Sequence, residues 1–87
     1  MTTVTLSREN IAPRIITIIH NCLGVKMADI TEKDSICDDL GADSLDYIEL
    51  WMECEEEFGV DIGDEDADGV ETVGQLIDLV MSAGPTA

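Results

Sequence analysis

The sequence lacks basic residues beyond Lys33. Its 87 residues include 20 Asp or Glu and four Lys or Arg, which gives a formal net charge of −16. Residues 1–34 hold four acids and four bases, whereas the chain from Asp38 onward holds sixteen acids and no Lys or Arg. This charge argues against nucleic acids and anionic membrane surfaces as partners. It favours cations or basic proteins, in addition to keeping the protein in solution.

Cysteine motifs, targeting signals and long apolar runs are missing too. Cys22, Cys37 and Cys54 form no Cys-x-x-Cys pair, and the only histidine is His20. The odd number of cysteines argues against a disulfide framework and favours a reducing compartment, and the wide spacing argues against zinc. No apolar stretch approaches the ~20 residues of a membrane-spanning helix. We therefore expect a cytoplasmic protein that does not insert into membranes.

Aromatic residues make up only 3% of the chain, although hydrophobic residues make up 45%. The core must therefore consist mainly of Ile, Val, Leu and Met, which makes it softer than an aromatic core. The length fits a single domain over residues 1–87. We expect residues 1–9 and 83–87 to be flexible ends.

The apolar residues recur with helical periodicity and do not alternate with polar residues as they would in strands. Apolar residues recur at i, i+4, i+7, i+8 and i+11 from Ile11, which predicts a first helix over about 10–23. With Asn10 as its N-cap, Pro13 occupies the third helical position, where its missing N–H needs no partner. A start one turn earlier, at Ser7, also fits the pattern.

Two further helices and a long loop complete the predicted fold. The second helix begins at Asp43 or Ser44 and ends at Phe58, and a Thr-x-x-Gln capping box at 72–75 precedes a last helix over about 73–82. The prediction is an all-α fold: a small antiparallel bundle of three main helices, with a short helix over 64–70. The loop over 24–43 is unusually long for such a domain, and loops of this length are often functional.

The second helix has more apolar surface than one contact with the core requires. On a helical wheel, one arc should face the core: Tyr47, Leu50, Trp51, Cys54 and Phe58. The opposite arc is acidic: Asp46, Glu49, Glu53, Glu56 and Glu57. Leu45, Ile48 and Met52 form a third strip between the two arcs. This strip can pack under the short helix, contact a ligand or partner, or do both.

Residues 64–69 match the start of a calcium-binding loop, Asp-x-Asp-x-Asp-Gly. The twelfth position is Gln75 instead of a bidentate Glu, and Glu71 stands where an aliphatic residue belongs. A solvated acidic turn is therefore the favoured interpretation. Asp64, Asp66 and Asp68 remain weak candidates for binding a divalent cation, and we predict no firm metal site.

No motif indicates an enzyme, but Ser44 stands out. It lies outside any Gly-x-Ser-x-Gly elbow, and His20 is on the polar face of another predicted helix. Ser44 nevertheless follows Gly41 at a helix start, which presents its hydroxyl outward where a helix N-terminus favours an anion. On physical grounds alone, a helix cap formed by Asp43 or Ser44 is the favoured explanation.

The seven residues from Leu40 to Asp46, Leu-Gly-Ala-Asp-Ser-Leu-Asp, resemble the prosthetic-group attachment site of acyl carrier proteins. The similarity is greatest to the bacterial fatty-acid type and extends from about Ile11 to Met81. It includes Leu-Gly-Val-Lys at 23–26 and Glu-Glu-Glu-Phe at 55–58. Peptidyl carriers usually have Gly-Gly where this chain has Gly-Ala at 41–42.

The resemblance implies that Ser44 is esterified by 4′-phosphopantetheine, which a phosphopantetheinyl transferase (holo-acyl-carrier-protein synthase) takes from coenzyme A. It implies a monomeric carrier whose acyl thioester cargo can slide between the helices. The implied partners include acyl transferases, ketosynthases and other acyl-processing enzymes, on which we expect basic patches. The residues that match the family's partner surface are Asp43, Leu45, Asp46, Glu49, Met52, Glu55, Glu56 and Ile62.

Some residues depart from the family pattern. Tyr47, Trp51 and Cys54 stand where the common fatty-acid carrier has smaller or aliphatic residues, and Gly63 replaces a proline. The cargo therefore stays open between fatty-acid biosynthesis and a related lipid or polyketide pathway. Two alternatives without a prosthetic group also remain: an acidic helical adaptor, and a divalent-cation-binding protein built on residues 64–75.

Overall fold

The structure is a computed structural model that describes residues 8–63 and 67–83. It contains the helices α1 (Arg8–Leu23), α2 (Ser44–Phe58) and α3 (Val73–Ser82), and a short 3₁₀ helix at Met27–Asp29. Helix α1 packs against both α2 and α3. Within the described ranges there is no β-strand, only an isolated bridge between Ser35 and Thr72. The predicted all-α helical bundle is confirmed.

Helix α1 begins three residues before Ile11, the first helical residue if Asn10 were the N-cap, and so fits the alternative start one turn earlier. It starts at Arg8, so Asn10 lies inside the helix and the predicted cap is wrong. Counted from Arg8, Pro13 is the sixth helical residue. Because proline has no N–H, the hydrogen bond from this position to the Glu9 carbonyl is not formed. Arg8 and Glu9 are thus helical, although we had assigned them to the flexible end.

The core is aliphatic, as the composition predicts. Side chains that are almost completely buried come from all three helices and from the loops, and the largest are Ile11, Ile15, Ile19, Ile36, Leu50, Leu76 and Ile77. Tyr47, Trp51 and Phe58 are only partly buried and pack against the edge of this cluster. No polar or charged side chain is buried in the part of the chain that the structure describes. None of the described helices has the length and apolarity needed to cross a membrane.

The long loop satisfies the backbone at the start of α3. The first N–H groups of any helix lack partners within the helix. Here the N–H of Val73 donates to the Asp34 carbonyl at 3.1 Å, and the N–H of Gly74 donates to the Glu32 carbonyl at 2.9 Å. A Cβ at position 74 would lie 3.1 Å from that Glu32 oxygen, which explains the glycine. Part of this loop therefore has a structural role.

Two arginines of α1 pair with acids from later in the chain. Arg8 pairs with Glu32 and Asp78, and these hydrogen-bonded carboxylates raise the pKa of Arg8. The Arg14 Nε lies 2.8 Å from Glu57 Oε2, and its guanidinium carbon lies 5.1 Å from the centre of the Phe58 ring. Because these groups are exposed, the pairs add little to stability and mainly fix which surfaces meet.

The predicted short helix over 64–70 lies partly outside the described residues, as do Asp64 and Asp66. Ala67 and Asp68 are helical, and the Ala67 N–H donates to the Gly63 carbonyl at 3.0 Å. Val60, Ile62, Ala67 and Val70 are buried in the core. The described residues on both sides of 64–66 are thus anchored in the core.

The buried thiol of Cys54 predicts a loss of stability in alkali. Burial, with a smaller contribution from Cys22, raises the pKa of Cys54 from 9.0 to about 12. The unfolded chain therefore ionises first, so the stabilisation present below the unfolded pKa is lost as pH rises toward the folded value. Between about pH 8 and about pH 10 we expect a loss of about 1 kcal/mol in the free energy of unfolding.

Denaturant unfolding at several pH values measures this slope, the change in the free energy of unfolding with pH. Cys54→Ala should be less stable at every pH but should lose this part of the pH dependence. The exposed Cys37→Ala provides the control, because it should keep the wild-type slope. If Cys54→Ala keeps that slope as well, the buried thiol is not its cause.

Candidate functional site at the start of helix α2

Asp43 and Asp46 form a reciprocal cap at the start of α2. The Asp46 N–H donates to Asp43 Oδ1 at 2.9 Å, and the Asp43 N–H donates to Asp46 Oδ2 at 3.1 Å. Asp43 is thus the N-cap, and Ser44 is the first helical residue. Of the two caps that the sequence left open, the structure selects Asp43.

Ser44 is therefore not needed to cap the helix. Its side chain is exposed, and its hydroxyl makes no hydrogen bond to any residue that the structure describes. The N–H groups of Ser44 and Leu45 likewise have no partner within the described ranges. A free hydroxyl thus sits beside two unsatisfied donors at the positive end of the helix dipole.

A groove of about 510 Å³ opens beside this hydroxyl. Its volume lies within the range of small-molecule binding sites in proteins. One wall belongs to α2 and the other to the segment after it, and the lining residues are Ser44, Tyr47, Ile48, Trp51, Ala67, Asp68 and Val70. Partial burial, and then the charges of Cys37 and Asp38, raise the pKa of Tyr47. Tyr47 therefore presents a neutral phenol to the groove.

The third strip of α2 is exposed. Leu45, Ile48 and Met52 are 71%, 55% and 57% exposed, and Ile48 also lines the groove. Contact of this strip with a ligand or partner stays a prediction. Leu45, Met52 and the exposed Glu49 and Glu56 follow the spacing i, i+4, i+7, i+11, which places them in one line along the helix. We call these four residues the α2 stripe.

Four of the residues matched to a partner surface make contacts within the protein. Ile62 is only 8% exposed, so its side chain belongs to the core. We had expected it on the partner surface. Its N–H donates to Glu55 Oε2 at 3.1 Å, which ties Glu55 to the loop after α2. Asp43 and Asp46 are engaged in the helix cap, although Asp43 stays exposed.

The weak metal candidates gain no support from the described residues. Asp68 is exposed and lines the groove, and no group of three or more His, Cys, Asp or Glu side chains within 8–63 and 67–83 could hold a metal ion. His20 is partly buried, and its Nδ1 lies 2.7 Å from the Val25 carbonyl oxygen. That contact makes it a structural residue at the end of α1.

The sequence did not reveal the groove itself. Tyr47 and Trp51 were assigned to the core because they share an arc with Leu50 and Cys54. In the structure their rings are in contact edge to face, with centres 5.5 Å apart, on the wall of the groove. The i, i+4 spacing of two aromatic residues in a chain with few aromatics was the available signal.

The division of roles at the start of α2 gives a testable stability difference. Asp43→Ala removes the N-cap and should lower the free energy of unfolding by about 1 kcal/mol. Ser44→Ala should change it by less than about 0.5 kcal/mol, because the hydroxyl is exposed and unbonded. Asp43→Asn, which removes the charge but keeps the capping oxygen, controls for charge repulsion and should stay near wild type. Equal losses in Asp43→Ala and Ser44→Ala would contradict the assignment of the cap.

Comparison with known proteins identifies the family. Residues 13–80 match the family model described as the phosphopantetheine attachment site. The chain is 43% identical over 74 residues to the acyl carrier protein of Thermotoga maritima, across 85% of this chain and 91% of that protein. The solved acyl carrier protein of Enterococcus faecalis superimposes with a TM-score of 0.75 at 38% identity, across 90% of this chain and 99% of that one. A proposed acyl carrier protein from Mycobacterium tuberculosis gives a TM-score of 0.77 at 34% identity, across 80% and 93% of the two chains. The chain therefore belongs to the acyl carrier proteins, whose cofactor is phosphopantetheine.

Proposed function

We propose that Ser44 is the residue that bears 4′-phosphopantetheine and that the protein delivers acyl groups from it to biosynthetic enzymes. The observation that carries this proposal is the free hydroxyl at the first position of α2, released from capping by Asp43. The hydroxyl faces solvent, so a transferase can reach it. It also lies on the edge of the groove, so an arm attached there begins next to an apolar wall.

The surroundings of Ser44 suit the phosphate of the cofactor. The unpaired N–H groups of Ser44 and Leu45 and the helix dipole favour an anion at this point. Asp43 and Asp46 add negative charge nearby, but each points one carboxylate oxygen at a backbone N–H. Their hydrogen bonds to the backbone reduce the repulsion that a phosphodiester would meet.

The cofactor supplies a terminal thiol that holds acyl groups as thioesters. The chain supplies the attachment hydroxyl, the groove beside it and a charged surface along α2. As an acyl carrier protein it works with a phosphopantetheinyl transferase and with acyl-processing enzymes. We assign it to the cytoplasm, in keeping with its free thiols Cys22, Cys37 and Cys54.

The α2 stripe is the surface that these enzymes would contact. It starts next to Ser44, so an enzyme that reaches the hydroxyl also covers Leu45 and Glu49. Its two apolar and two acidic side chains fit a partner with a shallow apolar pocket between Arg or Lys residues. We expect fast, weak and salt-sensitive association, and a monomer in solution because like-charged copies repel.

Modification of Ser44 tests the attachment site. The wild-type protein, incubated with coenzyme A and a phosphopantetheinyl transferase, should gain one phosphopantetheine by intact mass. Ser44→Ala should gain none, although its unfolding curve should match that of wild type. Modification of Ser44→Ala would place the attachment elsewhere. A wild-type protein that is never modified would favour the adaptor without a prosthetic group.

Charge reversal at Glu49 tests the α2 stripe. Glu49→Lys should lower the initial rate of modification by the transferase, with a larger loss at low salt because the attraction is less screened there. Glu9→Lys makes the same change at an exposed position on α1 and should have much less effect. Equal losses in both variants would mean that total charge, and not this surface, guides the partner.

A further inference from the structure

Two aromatic rings separate the groove beside Ser44 from the core. Tyr47 and Trp51 line the groove and also pack against the buried cluster, so each ring lies between the two. Their edge-to-face contact, at 61° between the ring planes, joins them into one continuous wall. The opposite side is closed by Ala67 and Val70, which are themselves buried.

Leu50, Cys54 and Ile77 of the buried cluster are completely inaccessible to solvent. Protein interiors are close-packed, so an apolar chain could enter there only if the rings and these side chains moved apart. An acyl chain that the arm brings into the groove therefore meets the aromatic wall before it can reach the core.

We propose that Tyr47 and Trp51 set the length of acyl group that this carrier can shield from water. The inference rests on the attachment of the cargo at Ser44. The occupant is the acyl group, which the arm can fold back into the groove because the arm is attached at its edge. An acyl group that fits within the groove is shielded, whereas the part of a longer saturated chain that the rings keep out of the core stays in water. Trp51 is the main determinant of the limit.

Cleavage of the thioester by hydroxylamine measures this shielding without any partner enzyme. The protein is loaded from acyl-coenzyme A donors of increasing saturated chain length by a phosphopantetheinyl transferase. Each methylene group that enters the groove should slow cleavage by up to about fourfold, the equivalent of about 0.8 kcal/mol. In wild type the rate should stop falling at the chain length that fills the groove. The fluorescence of Trp51, the only tryptophan, should shift as the loaded acyl group is lengthened to that limit. Longer acyl groups should cause no further shift.

Replacement of Trp51 should move the limit. In Trp51→Leu the cleavage rate should continue to fall at chain lengths where the wild-type rate is constant. Trp51→Phe keeps a smaller ring, should give an intermediate limit, and supplies the test if Trp51→Leu does not fold. Phe58→Leu is the matched control, since Phe58 is an aromatic residue of α2 at the edge of the core that does not line the groove. It should keep the wild-type limit.

The outcomes separate this inference from the proposed function. If no cofactor is attached at Ser44, the proposed function fails, and the inference that rests on it fails too. If loading succeeds but Trp51→Leu and Trp51→Phe keep the wild-type limit, only the aromatic wall is rejected. A wild-type rate that falls steadily with every added methylene group would likewise show that long chains pass the rings.

Discussion

The aliphatic core must hold together two helices that carry acids and no base. After Lys33 the chain has no positive side chain, so α2 and α3 cannot form an ion pair with each other. Helix α1 packs against both and supplies Arg8 and Arg14 to pair with acids of the loop, α2 and α3. Burial of Ile, Leu and Val then has to outweigh the remaining repulsion. The charge that weakens the fold is the same charge that remains available to the basic partners that we propose.

The start of α2 shows how one short motif serves both fold and function. Asp43 and Asp46 satisfy the backbone, and Ser44 between them is left free. A cap formed by Ser44 itself would have tied up the hydroxyl that we propose for attachment. The groove continues from this point along Tyr47 and Trp51. The attachment point, cargo groove and partner surface that we propose therefore lie along a single helix.

Much of this arrangement was predictable because it is local. The ends of α2 and α3, the capping box at Thr72 and the position of Ser44 follow from helical spacing and cap chemistry. The sequence left two starts open for α1, because a proline in the first turn and one in the second are both tolerated when tertiary packing supports the helix. The structure favours the earlier start and excludes Asn10 as the cap. The carboxylates of the loop residues Asp34 and Asp39 accept hydrogen bonds from backbone N–H groups, which no pattern in the sequence predicted.

The sequence by itself determined the helices, the charge asymmetry and the family motif, since each depends on neighbours along the chain. The tertiary structure alone decided which surfaces are free. It buried Ile62, tied Glu55 to a backbone N–H and placed Trp51 between groove and core. Helical periodicity fixes the direction in which a side chain points around the axis of its helix. Which distant segment covers that direction depends on packing between segments far apart in the chain.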